Sequence, residues 1–258
     1  MEVLRQLKEL YSGKNAISNH ITLFSILGIV VILLNNVVAA WGASAFYFDF
    51  FAIAPSSRFE LWLTLTVCIL LMIYLFGYDC KFLYSKFQNN DSVLPEMDLV
   101  PMSMFFKSFP VFVLWQMYYA VLFVMGVLFL PTNNSTLVYL TASLLVCSIP
   151  FMNLIFVKFI SDFKYSKDVL LPSSIFKYID KCFLSLIGLI LGILLLAILP
   201  CGLVLWVSKF AHKIVSEPLK LSVYLASICV FIYFITILKF VYLDGLVKIV
   251  KSKILNQE

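Results

Sequence analysis

Six long stretches of the chain contain no Asp, Glu, Lys or Arg, and this separation of charge decides most of what the chain can fold into. They run from Ile21 to about Ala45, Leu61 to Tyr78, Ser108 to Leu130, Leu137 to Val157, Cys182 to Val207 and Leu221 to Leu238. A hydrocarbon core about 30 Å thick is crossed by ~20 apolar residues in a helix. An ionised side chain at the centre of such a helix costs about 2.5–3.5 kcal/mol. Every charged residue lies between the runs or outside them, as spanning segments require. In lipid the backbone must satisfy its own hydrogen bonds, which leaves a helix or a closed barrel. Barrel strands would be about ten residues of alternating polarity, whereas these runs are longer and apolar on every side. The expected fold is all-α: an integral membrane bundle of about six transmembrane helices with amphipathic interfacial helices. It divides into residues 1–20, a spanning region 21–238 and a basic tail 239–258.

Composition agrees. The chain is 62% hydrophobic and 13% charged, against about 45–50% and 25% in a soluble domain. That excludes a soluble enzyme, a disordered chain and a nucleic-acid-binding module. The net charge of +5 is too small and too scattered for a nucleic-acid partner. It does suit a border with anionic lipid. The six cysteines include no C-x-x-C pair and lie mostly in apolar runs, so no disulfide framework is expected. The only histidines, His20 and His212, fall in separate hydrophilic segments, and no metal or other cofactor is expected.

Basic residues orient the chain. With six spans both termini share one side, and fifteen of the Lys and Arg residues lie there, including Lys81, Lys86, Lys107, Lys158, Lys164, Lys239 and Lys251. The other side has four: Arg58, Lys209, Lys213 and Lys220. The positive-inside rule places the fifteen, and both termini, in the cytoplasm of a multi-pass cell (inner) membrane protein. Trp41, Trp62 and Trp206 then fall at outer span ends as an aromatic belt, while Trp115 is expected to pack between helices. The Gly42-Ala43-Ser44-Ala45 stretch resembles a signal cleavage site, but the run before it is longer than a signal core, and it reads as an uncleaved anchor. Residues 1–20 carry Val3, Leu4, Leu7, Leu10 and Tyr11 at helical spacing. The tail repeats the device with Leu246, Val247, Val250 and Ile254 among Lys248, Lys251 and Lys253. Both read as amphipathic helices on the membrane surface, with anionic lipid headgroups as partners.

Two cytoplasmic loops resemble each other. Lys81-Phe82, Asp91 and Leu94-Pro95 recur as Lys158-Phe159, Asp168 and Leu171-Pro172 at a constant offset of 77 residues. This suggests a parallel repeat of span, loop and span, with chance matching in apolar sequence as the alternative. Proline stops a surface helix, and Ser173 and Ser174 are placed to help cap the helix after the second loop.

The chemistry is mostly negative. No ionisable Asp, Glu, Lys, Arg or His lies within the six runs, which argues against a proton-driven transporter and against an intramembrane protease. No H-E-x-x-H, G-x-S-x-G or phosphate-loop motif occurs. The polar residues Asn35, Asn36, Gln116 and Asn153 are the candidates for a polar lining of the bundle. Interhelical hydrogen bonding, about 0.6 kcal/mol each, is the preferred reading of them. Pro150, three residues before Asn153, is the best candidate for a polar-lined kink, and Pro110 and Pro200 sit in other runs. Gly188 and Gly192 form G-x-x-x-G, which permits close helix approach.

Gly77-Tyr78, then Lys81, then Leu94-Pro95-Glu96-Met97-Asp98, and an apolar helix from Lys107 resemble the bacterial and archaeal membrane family called domain of unknown function 4013. The likeness covers Gly77 to about Leu130 best, and Met97 stands where that family usually has an aromatic residue. It implies a polytopic prokaryotic membrane protein and supplies no catalytic residues. Three functions remain open. The first is a non-catalytic membrane component, a scaffold or accessory subunit with an unidentified membrane protein partner. The second is a facilitator or permease for a lipid or other apolar solute. The third is a membrane enzyme using Asp91, Glu96 and Asp98 near Lys107.

Overall fold

A computed structural model describes Arg5, Lys8 and residues 10–13, 15–40, 57–88, 94–129, 135–211, 213 and 216–255. The described residues are helical with no strand. Arg5, Lys8 and Leu10 have helical backbone, and seven helices follow: α1 (Ala16–Ala40), α2 (Arg58–Gln88), α3 (Val100–Phe129), α4 (Ser135–Asp162), α5 (Lys167–Leu170), α6 (Ser174–Ala211) and α7 (Glu217–Lys253). Among the described residues four segments are long and apolar enough to cross a membrane: Ala16–Val38, Arg58–Gln88, Ser174–Ala211 and Ser222–Lys253. The expected fourth run lies inside α4 and the third inside α3 as far as Phe129, with Leu130 outside the described residues. Residues 41–45 of the first run, with Trp41, lie outside the described residues.

The helices outlast the apolar runs. α1 begins at Ala16 rather than Ile21, after the Ala16 N–H reaches the Gly13 carbonyl at 3.2 Å. α2 starts on Ser57, whose Oγ accepts the Glu60 N–H at 3.2 Å, and continues ten residues past Tyr78. At 1.5 Å per residue its 31 residues extend roughly 46 Å, longer than the hydrocarbon is thick. α3 starts where Asp98 Oδ1 accepts the Val100 N–H at 3.0 Å, with Pro101 in its first turn. α6 follows Leu171-Pro172, and the capping expectation is corrected for Ser174: it is itself the first helical residue, with Ser173 just before it, and its Oγ donates back to the Leu171 carbonyl at 2.6 Å. α4 ends at Phe163, which has φ 53° and an N–H bond to the Phe159 carbonyl at 2.7 Å. Glycine usually takes that left-handed position. Phe163 holds it with its ring against Phe159 at 5.5 Å and Tyr84 at 5.6 Å.

The chain divides into two compact units. The first comprises Met1–Phe82, Asp91–Phe105 and Gly192–Val241. Its buried apolar residues include Leu23, Val30, Cys68, Tyr78, Cys80, Phe82, Ile237 and Phe240. The second comprises Leu83–Asn90, Phe106–Leu191 and Tyr242–Glu258. It buries Leu83, Val111, Trp115, Leu154, Ile155, Phe159, Tyr178, Leu186, Leu246 and Val250. Elsewhere large apolar side chains face outward. In α6, Leu195 is 68%, Leu199 66% and Trp206 69% exposed. A contiguous face of that kind is untenable in water and ordinary in lipid. This is a membrane protein.

The tail corrects an expectation. Residues 239–253 are not a separate segment but the last turns of α7. Leu246, Val247, Val250 and Ile254 are buried against protein, so they offer no apolar face to a membrane surface. An amphipathic stripe can be covered by either partner, and here the protein covers it.

Gly77 and Gly245 both sit at close approaches, with unequal consequences. A Cβ on Gly77 would meet the Pro101 carbonyl oxygen at 1.9 Å, and backbone there must move. A Cβ on Gly245 would meet the Leu189 methyls at 2.4 and 2.8 Å, which can rotate away. Gly77→Ala is expected to destabilise the protein by about 1–3 kcal/mol. Gly245→Ala should cost under about 1 kcal/mol, because the gain in helix propensity of roughly 0.5–1 kcal/mol offsets a side-chain shift. Thermal unfolding in a single detergent checks the order of the two.

Candidate functional site

In the first unit one face of α2 grips the segment between α2 and α3. Tyr74, Gly77, Tyr78 and Lys81 stand at i, i+3, i+4 and i+7 and so share a face. Tyr74 reaches Met97 Sδ at 3.9 Å, Gly77 lies against Pro101, and the Tyr78 hydroxyl donates to the Pro95 carbonyl at 2.5 Å. Lys81 donates to the Glu96 carbonyl at 2.6 Å and pairs with Asp98 at 2.8 Å. From α1, Asn19 Nδ2 donates to the carbonyls of Leu94 at 3.4 Å and Pro95 at 3.2 Å. Leu94-Pro95-Glu96-Met97-Asp98 is therefore a strapped connection. Its Asp98 serves twice, pairing with Lys81 and capping α3. The Glu96 side chain is exposed.

The same unit joins α2 to α7 through Lys239 and Asp79, 2.7 Å apart, with Phe240 against Tyr78 and Phe82 at 6.1 and 5.0 Å. At the start of α1, His20 is buried between Tyr11 at 5.6 Å and Tyr233 at 4.6 Å. Burial pushes the Tyr11 phenol well above its ordinary value.

The second unit holds two further ionic groups. Asp168, in α5, takes Lys177 at 2.8 Å and Lys158 at 3.8 Å, and the Tyr178 hydroxyl stands 3.4 Å away. Both ammonium groups lie near the Tyr178 ring face, at 5.5 and 5.7 Å. α5 is also tied to α3: Trp115 Nε1 donates to the Val169 carbonyl at 2.8 Å and the Tyr118 hydroxyl to that of Leu170 at 2.9 Å. Trp115 thus packs between helices as expected. The second group centres on Asp244, buried between Lys86 at 3.3 Å and Lys248 at 2.9 Å. Lys251 donates to the Lys86 carbonyl at 2.8 Å and lies over the Phe87 ring.

The Lys-Phe pairs that suggested a repeat have a third member. Lys158-Phe159 and Lys239-Phe240 follow the fourth and sixth apolar runs directly, and Lys81-Phe82 follows the second after Asp79-Cys80. Each phenylalanine is buried, and each lysine pairs with an acid: Asp98, Asp168 and Asp79. Comparison at a constant offset of 77 finds only two, since Lys239 stands 81 residues after Lys158. A search for the residue pair after each run finds all three.

The four expected lining residues fare differently. The Asn35 side chain lies outside the described residues, as does Asp91. Asn36 is half-buried, and its Oδ1 is a buried acceptor without a hydrogen bond among the described residues. Gln116 is exposed, which corrects its placement in the lining: Trp115 takes the inward position and the next residue turns about 100° away. Asn153 Nδ2 donates to the Tyr242 hydroxyl at 3.2 Å, a bond between α4 and α7. Lys107 places its ammonium over the Phe163 ring at 5.9 Å. Among the described residues no group of His, Cys, Asp or Glu could hold a metal, and the described cysteines are free thiols.

No family model, curated protein or solved structure matches this chain. The site stands on its own geometry.

The hydrogen bond from Lys177 holds the Asp168 carboxyl below its ordinary 3.8, against the opposing effect of partial burial. A depressed carboxyl pKa stabilises the fold above the unfolded value of about 3.9 and loses that contribution as pH falls through the folded value. Stability in detergent should therefore decline as acid is added below about pH 4, and less steeply in Asp168→Asn. Superimposable acid limbs for the two proteins would remove Asp168 from the account.

Proposed function

We propose that the chain is a six-span, non-catalytic component of the cell (inner) membrane, with both termini cytoplasmic, a scaffold or accessory subunit for another membrane protein. The observation that carries this reading is the use made of the acids at the helix ends. Asp79, Asp98, Asp168 and Asp244 are each paired with lysine. Acids that join helices are poorly placed to exchange protons with a substrate. Asp98 was central to the enzyme reading, and it caps α3 while holding Lys81. The polar group best placed to line a path, Asn153, is bonded to Tyr242.

The six-span count rests on the charge-free runs within α3 and α4 beside the four segments already identified. Orientation rests on the fifteen-to-four division of basic residues. Grouping with the domain of unknown function 4013 rests on Gly77-Tyr78, Lys81 and Leu94-Pro95-Glu96, and the strapping of those residues to one another gives that motif a structural reason. The basic inner face would meet anionic headgroups through its lysines.

Reconstitution tests this. Proteoliposomes are expected to show no flux above protein-free vesicles for glycerol, amino acids, inorganic ions or a fluorescent lipid. In mild detergent the native chain should migrate in an assembly larger than itself, and Glu96→Gln should leave that assembly intact. Saturable flux of any solute would overturn the reading in favour of a facilitator.

A further inference from the structure

The connection from α4 to α6 turns back along α3 and is tied to it at three places. We infer that this connection, residues 163–173, lies in the inner leaflet itself, as an interaction surface for the boundary between phospholipid headgroups and acyl chains. The inference rests on the six-span reading above. It gives a lipid partner to a segment that charge counting alone places in water.

Depth is marked from two helices of the second unit. On α3, the Tyr165 hydroxyl donates to the Lys107 carbonyl at 3.2 Å, one residue before the third run begins at Ser108. Trp115 and Tyr118, seven and ten residues beyond Ser108, donate to the Val169 and Leu170 carbonyls at 2.8 and 2.9 Å. Seven residues are about 10 Å of helix, and a helical side chain leans back about a turn toward the N-terminus. Val169 therefore stands roughly one turn inside the third run. On α4, Lys158 is the first residue after the fourth run, and its ammonium meets Asp168 at 3.8 Å. Both marks put residues 168–171 within about a turn of the hydrocarbon edge, where headgroups meet acyl chains.

The backbone chemistry agrees. The Val169 and Leu170 carbonyls end a single helical turn, and no following turn donates to them. Water would serve them in the cytoplasm. An indole and a phenol serve them instead, from the two ring types at home at headgroup level. Val169 is buried, while Tyr165 is 56% and Leu171 48% exposed and Pro172 is exposed beside it. Lys164 is 80% exposed, and its long stem carries the ammonium to water. Residues 158–181 carry five lysines and three aspartates, an excess that suits an anionic leaflet.

Fluorescence quenching tests this on the full chain without its native cysteines, purified and reconstituted in vesicles of phosphatidylglycerol and phosphatidylcholine. Single cysteines carry a bimane label. Leu171→Cys is the deciding variant, and its side chain is exposed, so the replacement leaves the packing alone. Ser252→Cys is the aqueous reference, and Met117→Cys, exposed within the third run, is the hydrocarbon reference. The quenchers are iodide on both sides of the membrane and a lipid with a nitroxide near the top of its acyl chain. The label at position 171 should be quenched several-fold more by the lipid nitroxide than the label at 252, and several-fold less by iodide. Equal iodide quenching at 171 and 252 would put the connection in water and overturn the inference. Shielding at 171 from both quenchers would mean that a second copy of the chain covers it, and would overturn the inference too. Iodide quenching at 117 as strong as at 252 would overturn the six-span reading itself, so the two failures are told apart.

Discussion

Everything in this molecule follows from the cost of placing an ionised side chain in hydrocarbon. The chain keeps Asp, Glu, Lys and Arg out of six runs and concentrates them where helices leave those runs. Once there, charge is put to structural use. A lysine after the second, fourth and sixth runs pairs with an acid, and the phenylalanine beside it is buried. Lysine is suited to this boundary. Its stem lies along apolar surface while its ammonium reaches out.

Packing follows the same division. Between apolar helices in lipid there is no gain from removing water, so association depends on close fit and polar contacts. The buried residues gather near the ionic ends, at Tyr78 to Leu83, Leu154 to Ile160 and Phe240 to Val250. The length of α6 beyond its ionic end instead turns leucine and tryptophan outward. Gly77 belongs to the same logic: without a side chain there, α2 and the first turn of α3 come close enough for Tyr78 and Lys81 to strap the connection between them.

The sequence made the helical class and the positions of the apolar runs legible, because exclusion of charge is a local property. Helix ends were not legible in that way. α2 runs to Gln88 and α7 to Lys253 because nothing in the charged turns prevents helix once the chain is in water. The tail shows a second limit. Leu246, Val250 and Ile254 make the same stripe whether lipid or protein covers it. Gln116 shows a third: in a run that is apolar on all sides no periodicity reveals which residue turns inward, and Trp115 does. The ionic pairs depend on contacts such as Lys86 with Asp244, far apart along the chain, which no local pattern encodes.

The proposed six-span topology puts the lysine-rich ends of α2, α4 and α7 on one aqueous side of the membrane. Single cysteines at exposed positions test it most directly in a variant without the native cysteines: Glu96→Cys, Lys164→Cys and Ser252→Cys for that face, and Arg58→Cys and Lys213→Cys for the opposite one. A membrane-impermeant maleimide should label the first three only in inside-out vesicles and the last two only in right-side-out vesicles. Labelling of any of the first three together with Arg58→Cys or Lys213→Cys would contradict the account.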